Sequence, residues 1–294
     1  MKVQFLNGGL ANQVFQYIFS RFAWFYWQGK EPVYLDDSYF YVEQKHNGYE
    51  LEKVFGIRPD LLSKHFIGET WDYMIENKQR NVSVCQSLKD AGLDIIMISE
   101  SNNYTKMNPF TGQVHMIPAN EFYPEILDIP GNVYYHGYWI NKRWFESYRE
   151  QLAKELIFPQ ITDAANKMYE KLILGNKSVG VHIRRGDFVS LGWELPDDYY
   201  RKSLESIRRV HPNAVIFVFS DDINWCRVHG EQLGLFGFKE VIYIEGNVGG
   251  KNYIDLYLMH LCEGLVISNS SFSYLAALIN SRLAFVCNPT KRSI

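Results

Sequence analysis

The second half of the chain alternates short apolar runs with amphipathic segments, and this alternation restricts the fold more than any other feature of the sequence. Continuous apolar runs, which are typical of buried strands, lie at residues 178–183, 214–219, 241–244, 265–268 and 283–287. Helical patterns lie between them at about residues 197–210, 223–233, 253–262 and 272–279. Strand and helix in alternation predict a parallel sheet with helices on both faces.

The first half of the chain is less regular. A strand, a helix and a strand span residues 2–36, a stretch rich in tyrosine and asparagine runs from 38 to about 132, and a strand pattern returns at 133–139. A helical pattern at 142–156 ends at a Phe-Pro-Gln break, which predicts a boundary between halves 1–158 and 159–294. The length of 294 residues and the hydrophobic content of 47% suit one large or two ordinary domains.

Composition argues against several classes of protein. The net charge of -3 is spread along the chain, which is not typical of a protein that binds nucleic acid through bulk charge. Four cysteines lie far apart with no Cys-x-x-Cys spacing: Cys85, Cys226, Cys262 and Cys287. We therefore expect reduced thiols, and neither a metal site nor a disulfide framework.

The long apolar helix near the N-terminus does not predict a membrane span. It covers about residues 11–27 but is interrupted by Gln16, Ser20 and Arg21, so it falls short of the roughly 20 apolar residues that cross a bilayer. The N-terminal residues lack the pattern of a secretory signal peptide. We expect a cytoplasmic protein with at most peripheral contact with the inner face of the membrane.

A basic pair follows the first strand of the second half, in residues 182–187 (His-Ile-Arg-Arg-Gly-Asp). Open α/β sheets bind ligands at the carboxyl ends of their strands, and arginine offers fixed donors to phosphate oxygens, so the pair suits a diphosphate. The alternative is a surface pair held by Asp187. Because side chains alternate along a strand, His182 and Arg184 share one face, whereas Arg185 points elsewhere or begins the loop.

Two further segments place polar groups directly after strands. Residues 7–13 (Asn-Gly-Gly-Leu-Ala-Asn-Gln) lie between a strand and the long apolar helix, and glycines at such a turn let a ligand approach the backbone closely. Residues 269–273 (Asn-Ser-Ser-Phe-Ser) follow the strand at 265–268 and precede a helix of small residues, so hydroxyls and free helix amides gather there. Both segments suit a phosphate or a nucleotide.

These three segments, with residues 135–139 (Tyr-His-Gly-Tyr-Trp) and 219–222 (Phe-Ser-Asp-Asp), resemble motifs of the bacterial α-1,2-fucosyltransferases, glycosyltransferase family 11. The five motifs span the whole chain in the family's order, and Ala11 departs from the family's usual glycine. The resemblance implies an α/β fold of the two-lobed GT-B type. Its Rossmann-like C-terminal lobe, 159–294, would bind GDP-fucose, and the N-terminal lobe, 1–158, would form most of the acceptor site.

The resemblance also implies a reaction. L-Fucose moves from GDP-fucose, with inversion and without a metal or cofactor, to the 2-hydroxyl of a galactose-terminated oligosaccharide in a glycan such as O-antigen or capsule. Two alternatives remain: a catalytically silent sugar- or nucleotide-binding protein of the same fold, and an enzyme with a different donor or linkage. The expected partners are the donor and the acceptor glycan, and no nucleic acid.

The leaving diphosphate of this reaction needs a fixed cation or hydrogen-bond donors, because negative charge develops on it. No Asp-x-Asp metal motif occurs in the sequence. By resemblance, Arg184 binds the β-phosphate in place of a metal, with His182 and Arg185 beside it. Asp187 either orients the guanidinium or takes part in catalysis.

Six further residues are candidates for the donor site. Asn12, Ser270, Ser271 and Phe272 follow from the resemblance, and Asp221 and Asp222 follow from their place directly after the strand at 214–219. The asparagine would hold a phosphate or a sugar hydroxyl, an aspartate would accept the guanine N–H hydrogens, and the serines and the phenylalanine would close on the donor. Each also has a structural interpretation, as a helix cap or as core packing.

The catalytic base stays open at this stage. A carboxylate could take the proton of the acceptor hydroxyl, and the candidates are Asp36, Asp37, Asp187 and Glu194. Nothing in the sequence separates them, and an enzyme with no protein base is a further possibility.

Overall fold

The computed structural model describes residues 1–43, 45–101 and 114–289. The chain forms two compact units, Met1–Phe158 and Pro159–Ile294. Each unit contains its own five-stranded sheet, and every strand pairing in both sheets is parallel.

The described part of the N-terminal unit has five strands: β1 (Lys2–Phe5), β2 (Val33–Asp36), β3 (Ile95–Ser101), β4 (Val114–Pro118) and β5 (Asn132–His136). Its helices are α1 (Leu10–Tyr26), α2 (Tyr39–Val42), α3 (Leu51–Phe55), α4 (Leu62–His65), α5 (Glu69–Gln79), α6 (Val84–Asp90), α7 (Lys142–Glu146) and α8 (Arg149–Glu155). A 3₁₀ helix covers Pro124–Asp128.

The described part of the C-terminal unit has strands β6 (Ser178–Ile183), β7 (Val215–Ser220), β8 (Glu240–Tyr243), β9 (Gly264–Val266) and β10 (Phe285–Cys287). Its helices are α9 (Ala164–Gly175), α10 (Gly186–Leu191), α11 (Asp197–Val210), α12 (Ile223–Val228), α13 (Asn252–Leu261) and α14 (Ser271–Ile279). A 3₁₀ helix covers Gly249–Lys251.

The strand order gives each sheet a point where the direction of winding reverses. In the C-terminal unit the order is β10-β9-β6-β7-β8, so the chain leaves β6 toward β7 on one side and returns to β9 on the other. In the N-terminal unit the order is β2-β1-β5-β3-β4, and the reversal lies beside β1. Ligands of open α/β sheets bind at such a point, outside the carboxyl ends of the strands.

Burial explains why these segments form strands and helices. All six residues of β6 are buried, as expected for a central parallel strand covered on both faces. Helix α11 buries Tyr200, Leu204 and Ile207, whose spacing of four and three places them on one helical face. The predicted α/β class is confirmed, and two parallel-sheet units in one chain are the parts of a GT-B fold.

Helix α1 is buried along most of its length, as the sequence predicts. Among the described residues, no helix combines the length and the apolar character needed to cross a membrane.

The structure differs from the sequence-based prediction in three places. The stretch from 38 to 132 contains five helices and two strands in its described part, rather than an irregular segment. The predicted helix at 142–156 is two helices, because the hydroxyl of Ser147 donates to the carbonyl of Arg143 and Tyr148 leaves the helical region at φ -135°. Helices α9 and α10 were not expected.

A substitution at Gly180 tests how tightly β6 packs. A Cβ there would lie 2.7 Å from Cδ2 of Leu265 and 3.1 Å from Sγ of Cys262, both in the core. We expect Gly180→Ala to lower the free energy of unfolding by about 1–3 kcal/mol, because the core must shift to accept the methyl group. Urea unfolding followed by circular dichroism measures this change.

The matched control is Gly175→Ala at the end of α9, where a Cβ would meet no atom within 4 Å. Alanine there should raise stability by about 0.5 kcal/mol, because it restricts the unfolded chain. Equal effects of the two substitutions would contradict the packing of β6.

Candidate active site

The histidine of the basic motif is a neutral, buried group at the end of β6. His182 is 6% exposed, and its Nδ1 lies 2.9 Å from Oγ of Ser268, which follows β9. Burial, helped by the charge of Arg184, lowers the pKa of His182 to about 3. The imidazole is therefore uncharged at neutral pH and can join β6 to β9 only by a neutral hydrogen bond.

Arg184 is held between two carboxylates. Its Nη1 lies 3.0 Å from Oδ2 of Asp221, and its Nη2 lies 2.6 Å from Oδ1 of Asp187. The guanidinium side chain is 30% exposed, and two of its five N–H donors satisfy these contacts, so donors remain for a ligand. Asp187 is largely exposed, which means that its ion pair orients the guanidinium and adds little stability.

Arg185 points away from Arg184, as the period of the strand suggests. Its guanidinium carbon lies 3.6 Å from the centre of the Trp225 ring, and its backbone N–H donates to Oδ1 of Asp221 at 2.8 Å. The stacking occupies the planar face of the guanidinium. Its role beside the phosphate stays a prediction.

The two aspartates after β7 make different contacts. Asp221 accepts the N–H of Arg185 with one oxygen and pairs with Arg184 through the other. Asp222 caps α12, since its Oδ1 accepts the N–H of Trp225 at 3.0 Å. A Cβ on Gly186 would lie 2.5 Å from Oδ2 of Asp221, which explains the glycine in the basic motif.

The loop after β9 closes the other side of β6. Ser270 caps α14 by accepting the N–H of Phe272 at 3.3 Å, and Ser271 is the first residue of that helix. The ring of Phe272 lies 5.9 Å from the ring of His182. The capping and packing interpretations therefore hold for Ser270 and Phe272, and they place both residues at the reversal point beside β6.

Asn269 lies in the same loop, although its place in the motif predicted no role for it. It is 2% exposed, its Nδ2 donates to the carbonyl of Trp193 at 2.7 Å, and its Oδ1 is buried without a partner among the described residues. A buried polar atom without a partner costs free energy unless a ligand or water satisfies it. The signal that could have found it is its place directly after β9, inside the motif.

Asn12 lies in the first turn of α1 at the reversal point of the N-terminal sheet. The N-cap of this helix is Gly9, so Asn12 does not cap it. No hydrogen bond to a described residue engages its amide, which is half-buried. Gly8 has a φ of 76°, and a Cβ there would lie 2.6 Å from Nδ2 of Asn12, so the glycine makes room for this side chain.

The loops after β1 and β5 are joined by a network of amides. Gln16 accepts the N–H of Asn7 at 3.0 Å and donates to the carbonyl of Gly137 at 3.3 Å. Nδ2 of Asn7 reaches the hydroxyl of Tyr138 at 3.3 Å. Two motifs that lie more than a hundred residues apart thus form one polar surface at the carboxyl edge of the sheet.

The four candidate bases differ in access. Asp36 is fully buried, and its oxygens accept the N–H of Ser38 and the hydroxyl of Tyr134. Asp37 is 4% exposed and accepts two hydrogen bonds from Ser63. Asp187 is paired with Arg184, as above, and Glu194 is exposed.

A cavity of about 470 Å³ opens beside Asp37 at the carboxyl end of β2. Three aromatic side chains and two charged ones contribute to its lining: Phe40, Tyr41, Tyr49, Glu52 and Lys64. The hydroxyl of Tyr49 is buried and has no partner among the described residues. Aromatic rings together with polar groups are suited to a sugar.

Comparison with known proteins agrees with the motifs. The profile of glycosyl transferase family 11 matches residues 108–291, more than half of the chain. This chain belongs to glycosyl transferase family 11. It is accordingly a glycosyltransferase.

Three relatives have informative names. An α-1,2-colitosyltransferase of Escherichia coli is 30% identical over 97% of this chain and 90% of that protein. The O-antigen biosynthesis glycosyltransferase WbnK of Escherichia coli is 25% identical over 94% of this chain and 89% of that protein. The galactoside 2-α-L-fucosyltransferase Sec1 of Mus musculus is 27% identical over 51% of this chain and 43% of that protein.

The aspartates after β7 can be separated by variants of this family 11 chain. Oδ2 of Asp222 has no partner among the described residues, so we expect Asp222 to accept the guanine edge while its Oδ1 keeps the cap. Asp222→Asn keeps a good cap but removes the carboxylate. It should weaken GDP binding by about 1–3 kcal/mol, by analogy with base-edge contacts, and leave ADP and UDP binding unchanged.

Calorimetry with the three nucleotides measures this selectivity. Asp222→Ala should show the same selectivity and an additional loss of about 1 kcal/mol in stability, because it also removes the cap. Asp221→Asn is the comparison variant, because both carboxylate oxygens of Asp221 are already engaged: one accepts the N–H of Arg185 and the other pairs with Arg184. Equal losses for GDP, ADP and UDP at Asp222 would leave it only the capping role.

Proposed function

We propose that this protein transfers L-fucose from GDP-fucose to the 2-hydroxyl of a terminal galactoside in a surface glycan, with inversion and without a metal. The observation that carries the proposal is Arg184, fixed by Asp221 and Asp187 at the point where the C-terminal sheet reverses. Family membership supports a nucleotide-sugar donor. The α-1,2 linkage and the galactoside are supported by the names of relatives.

The proposed chemistry follows from the charges at this edge. Cleavage of the bond between the anomeric carbon and the β-phosphate oxygen leaves an electron pair on GDP, while the sugar gains oxocarbenium character. A guanidinium that is already oriented stabilises this developing charge without reorganisation. Neutral His182 adds no second charge, so Arg184 is the proposed cation at the leaving group.

On the acceptor side, the cavity beside Asp37 and the amide surface around Asn12 support binding of a sugar in the N-terminal unit. Sugar hydroxyls are neutral, and they are recognised by amides, hydroxyls and aromatic faces rather than by a strong field. The name of WbnK supports an acceptor of the O-antigen type.

A second donor is favoured by one specific observation. The Escherichia coli relative at 30% identity is named a colitosyltransferase, and colitose is L-fucose without its 3-hydroxyl. The site described above contains no feature that distinguishes these two sugars. GDP-colitose is therefore the alternative donor.

The test is a donor and acceptor screen. GDP-fucose, GDP-colitose, GDP-mannose and UDP-galactose are each incubated with galactosides of β1,3 and β1,4 linkage in excess EDTA, and the product linkage is determined. We expect a fucosyl α-1,2 product from GDP-fucose. Faster transfer from GDP-colitose would change the donor, another linkage would contradict the acceptor position, and loss of activity that one divalent ion restores would contradict metal independence.

Arg184→Ala should lower kcat by about 10² to 10³, on the scale of other preorganised charge stabilisers. Arg184→Lys should recover only part of this loss, because an ammonium cannot contact both carboxylates and a phosphate in the same plane. The matched control is Arg201→Ala on the exposed face of α11, where the guanidinium pairs with Glu205 at 3.3 Å. A folded Arg184→Ala protein with normal turnover would overturn the assignment.

A further inference from the structure

His136 ends β5 at the carboxyl edge of the N-terminal sheet, next to the strand β1 where the winding reverses. Its ring stacks on Phe5 at 5.1 Å and 13°, and the side chain is exposed. Among the described carboxylates at this edge, Asp36 and Asp37 are buried and bonded to protein donors. His136 combines exposure with a ring nitrogen, Nε2, that no hydrogen bond to a described residue engages.

The loop that follows His136 is held rigidly. A carboxylate oxygen of Glu100 accepts the N–H groups of Tyr138 and Trp139 at 2.7 and 2.8 Å. Trp139 has a φ of 56°, which is strained for a bulky residue, and its indole N–H donates to Gln4. Backbone strain that the surroundings maintain is typical of functional loops.

We assign the Nδ1–H tautomer to His136 from the hydrogen bonds of Ser99. The hydroxyl of Ser99, which lies opposite His136 in the strand register, donates to the carbonyl of Glu100 at 3.3 Å. Its oxygen is then an acceptor for Nδ1–H of His136, also at 3.3 Å. In this tautomer Nε2 carries the lone pair, and no hydrogen bond to a described residue engages it.

We infer that His136 is the general base that takes the proton of the acceptor hydroxyl. This inference rests on the proposed function and deepens it. The acceptor oxygen bonds to the anomeric carbon, the bond from that carbon to the β-phosphate oxygen breaks with its electron pair on GDP, and the hydroxyl proton passes to Nε2. The imidazolium then returns this proton to solvent.

The charged groups around His136 support the uptake of a proton by its imidazole and the return of that proton to solvent. Burial of the ring face that stacks on Phe5 is the largest effect on the pKa of His136 and lowers it, as does the ammonium of Lys78, which lies 4.4 Å from the centre of the Phe5 ring. Asp36 and a hydrogen bond to the backbone of His136 itself act in the opposite direction. The imidazole is therefore neutral and able to accept a proton at neutral pH. The same lowered pKa favours the return of the proton after each turnover.

The experiment compares wild type, His136→Gln and the control His211→Gln. His211 stacks on Phe285 at 5.2 Å and 15°, which reproduces the packing of His136 away from the proposed site. With the donor and acceptor that the wild type uses, His136→Gln should lower kcat about 10²-fold or more. GDP affinity and melting temperature should stay those of wild type, and His211→Gln should keep normal kcat.

The pH profile separates a base from a structural residue. Wild-type kcat/KM should fall as pH decreases through the lowered pKa of His136, and this limb should be absent in His136→Gln. Lys78→Gln removes the nearby cation, so it should move the limb to higher pH. Exogenous imidazole should restore part of the activity of His136→Ala, which keeps the test valid if one variant folds poorly.

A kcat within threefold of wild type in His136→Gln, with an unchanged acid limb, would overturn the inference. Transfer from another donor or to another hydroxyl would contradict the proposed function alone. The role of His136 would then be tested with the donor and acceptor that the wild type does use. A wild-type protein that transfers no sugar from any donor would overturn both.

Discussion

The carboxylate of Asp221 joins the two central strand ends of the C-terminal unit, and the geometry of the proposed donor site depends on it. One oxygen accepts the N–H of Arg185 after β6, and the other pairs with Arg184 at 3.0 Å. The aspartate itself follows β7, so the contact ties the loops of two parallel neighbours. Because the guanidinium is oriented before any ligand arrives, a phosphate that binds it would lose little conformational entropy in ordering the site.

Carboxylates in the N-terminal unit also serve mainly to hold loops. Glu100 fixes the loop after β5, and Glu50, which is fully buried, accepts an amide hydrogen of Asn47 beside α1. Burial raises the pKa of both glutamates, and their hydrogen bonds offset part of that effect. With these acids bonded inside, the amides of Asn7 and Asn12, the hydroxyl of Tyr138 and the neutral imidazole of His136 supply uncharged polar groups at this edge. Such an edge suits neutral sugar hydroxyls better than a diphosphate.

The sequence predicted the C-terminal sheet well because its buried strands are continuous apolar runs. It failed between 38 and 132, where helices α2, α3 and α4 have four or five residues, too few to show a period. The longer helix α5 buries only Trp71 and Met74, so it shows almost no apolar face. The contact of Arg184 with Asp187 was expected from the motif, whereas its contact with Asp221 depends on the pairing of β6 with β7 rather than on spacing. His136 was inside a recognised motif, yet its exposure and tautomer follow from the register of β3 and β5.

Two histidines in this chain differ in burial, and we infer different roles for them for that reason. His182 is the next-to-last residue of β6 and His136 is the last residue of β5, and both have a lowered pKa. His182 is enclosed between β6 and β9, so it stays neutral and adds no charge beside Arg184. His136 is exposed, so a proton can reach it and leave again, which is the property that a base requires and that an enclosed imidazole lacks.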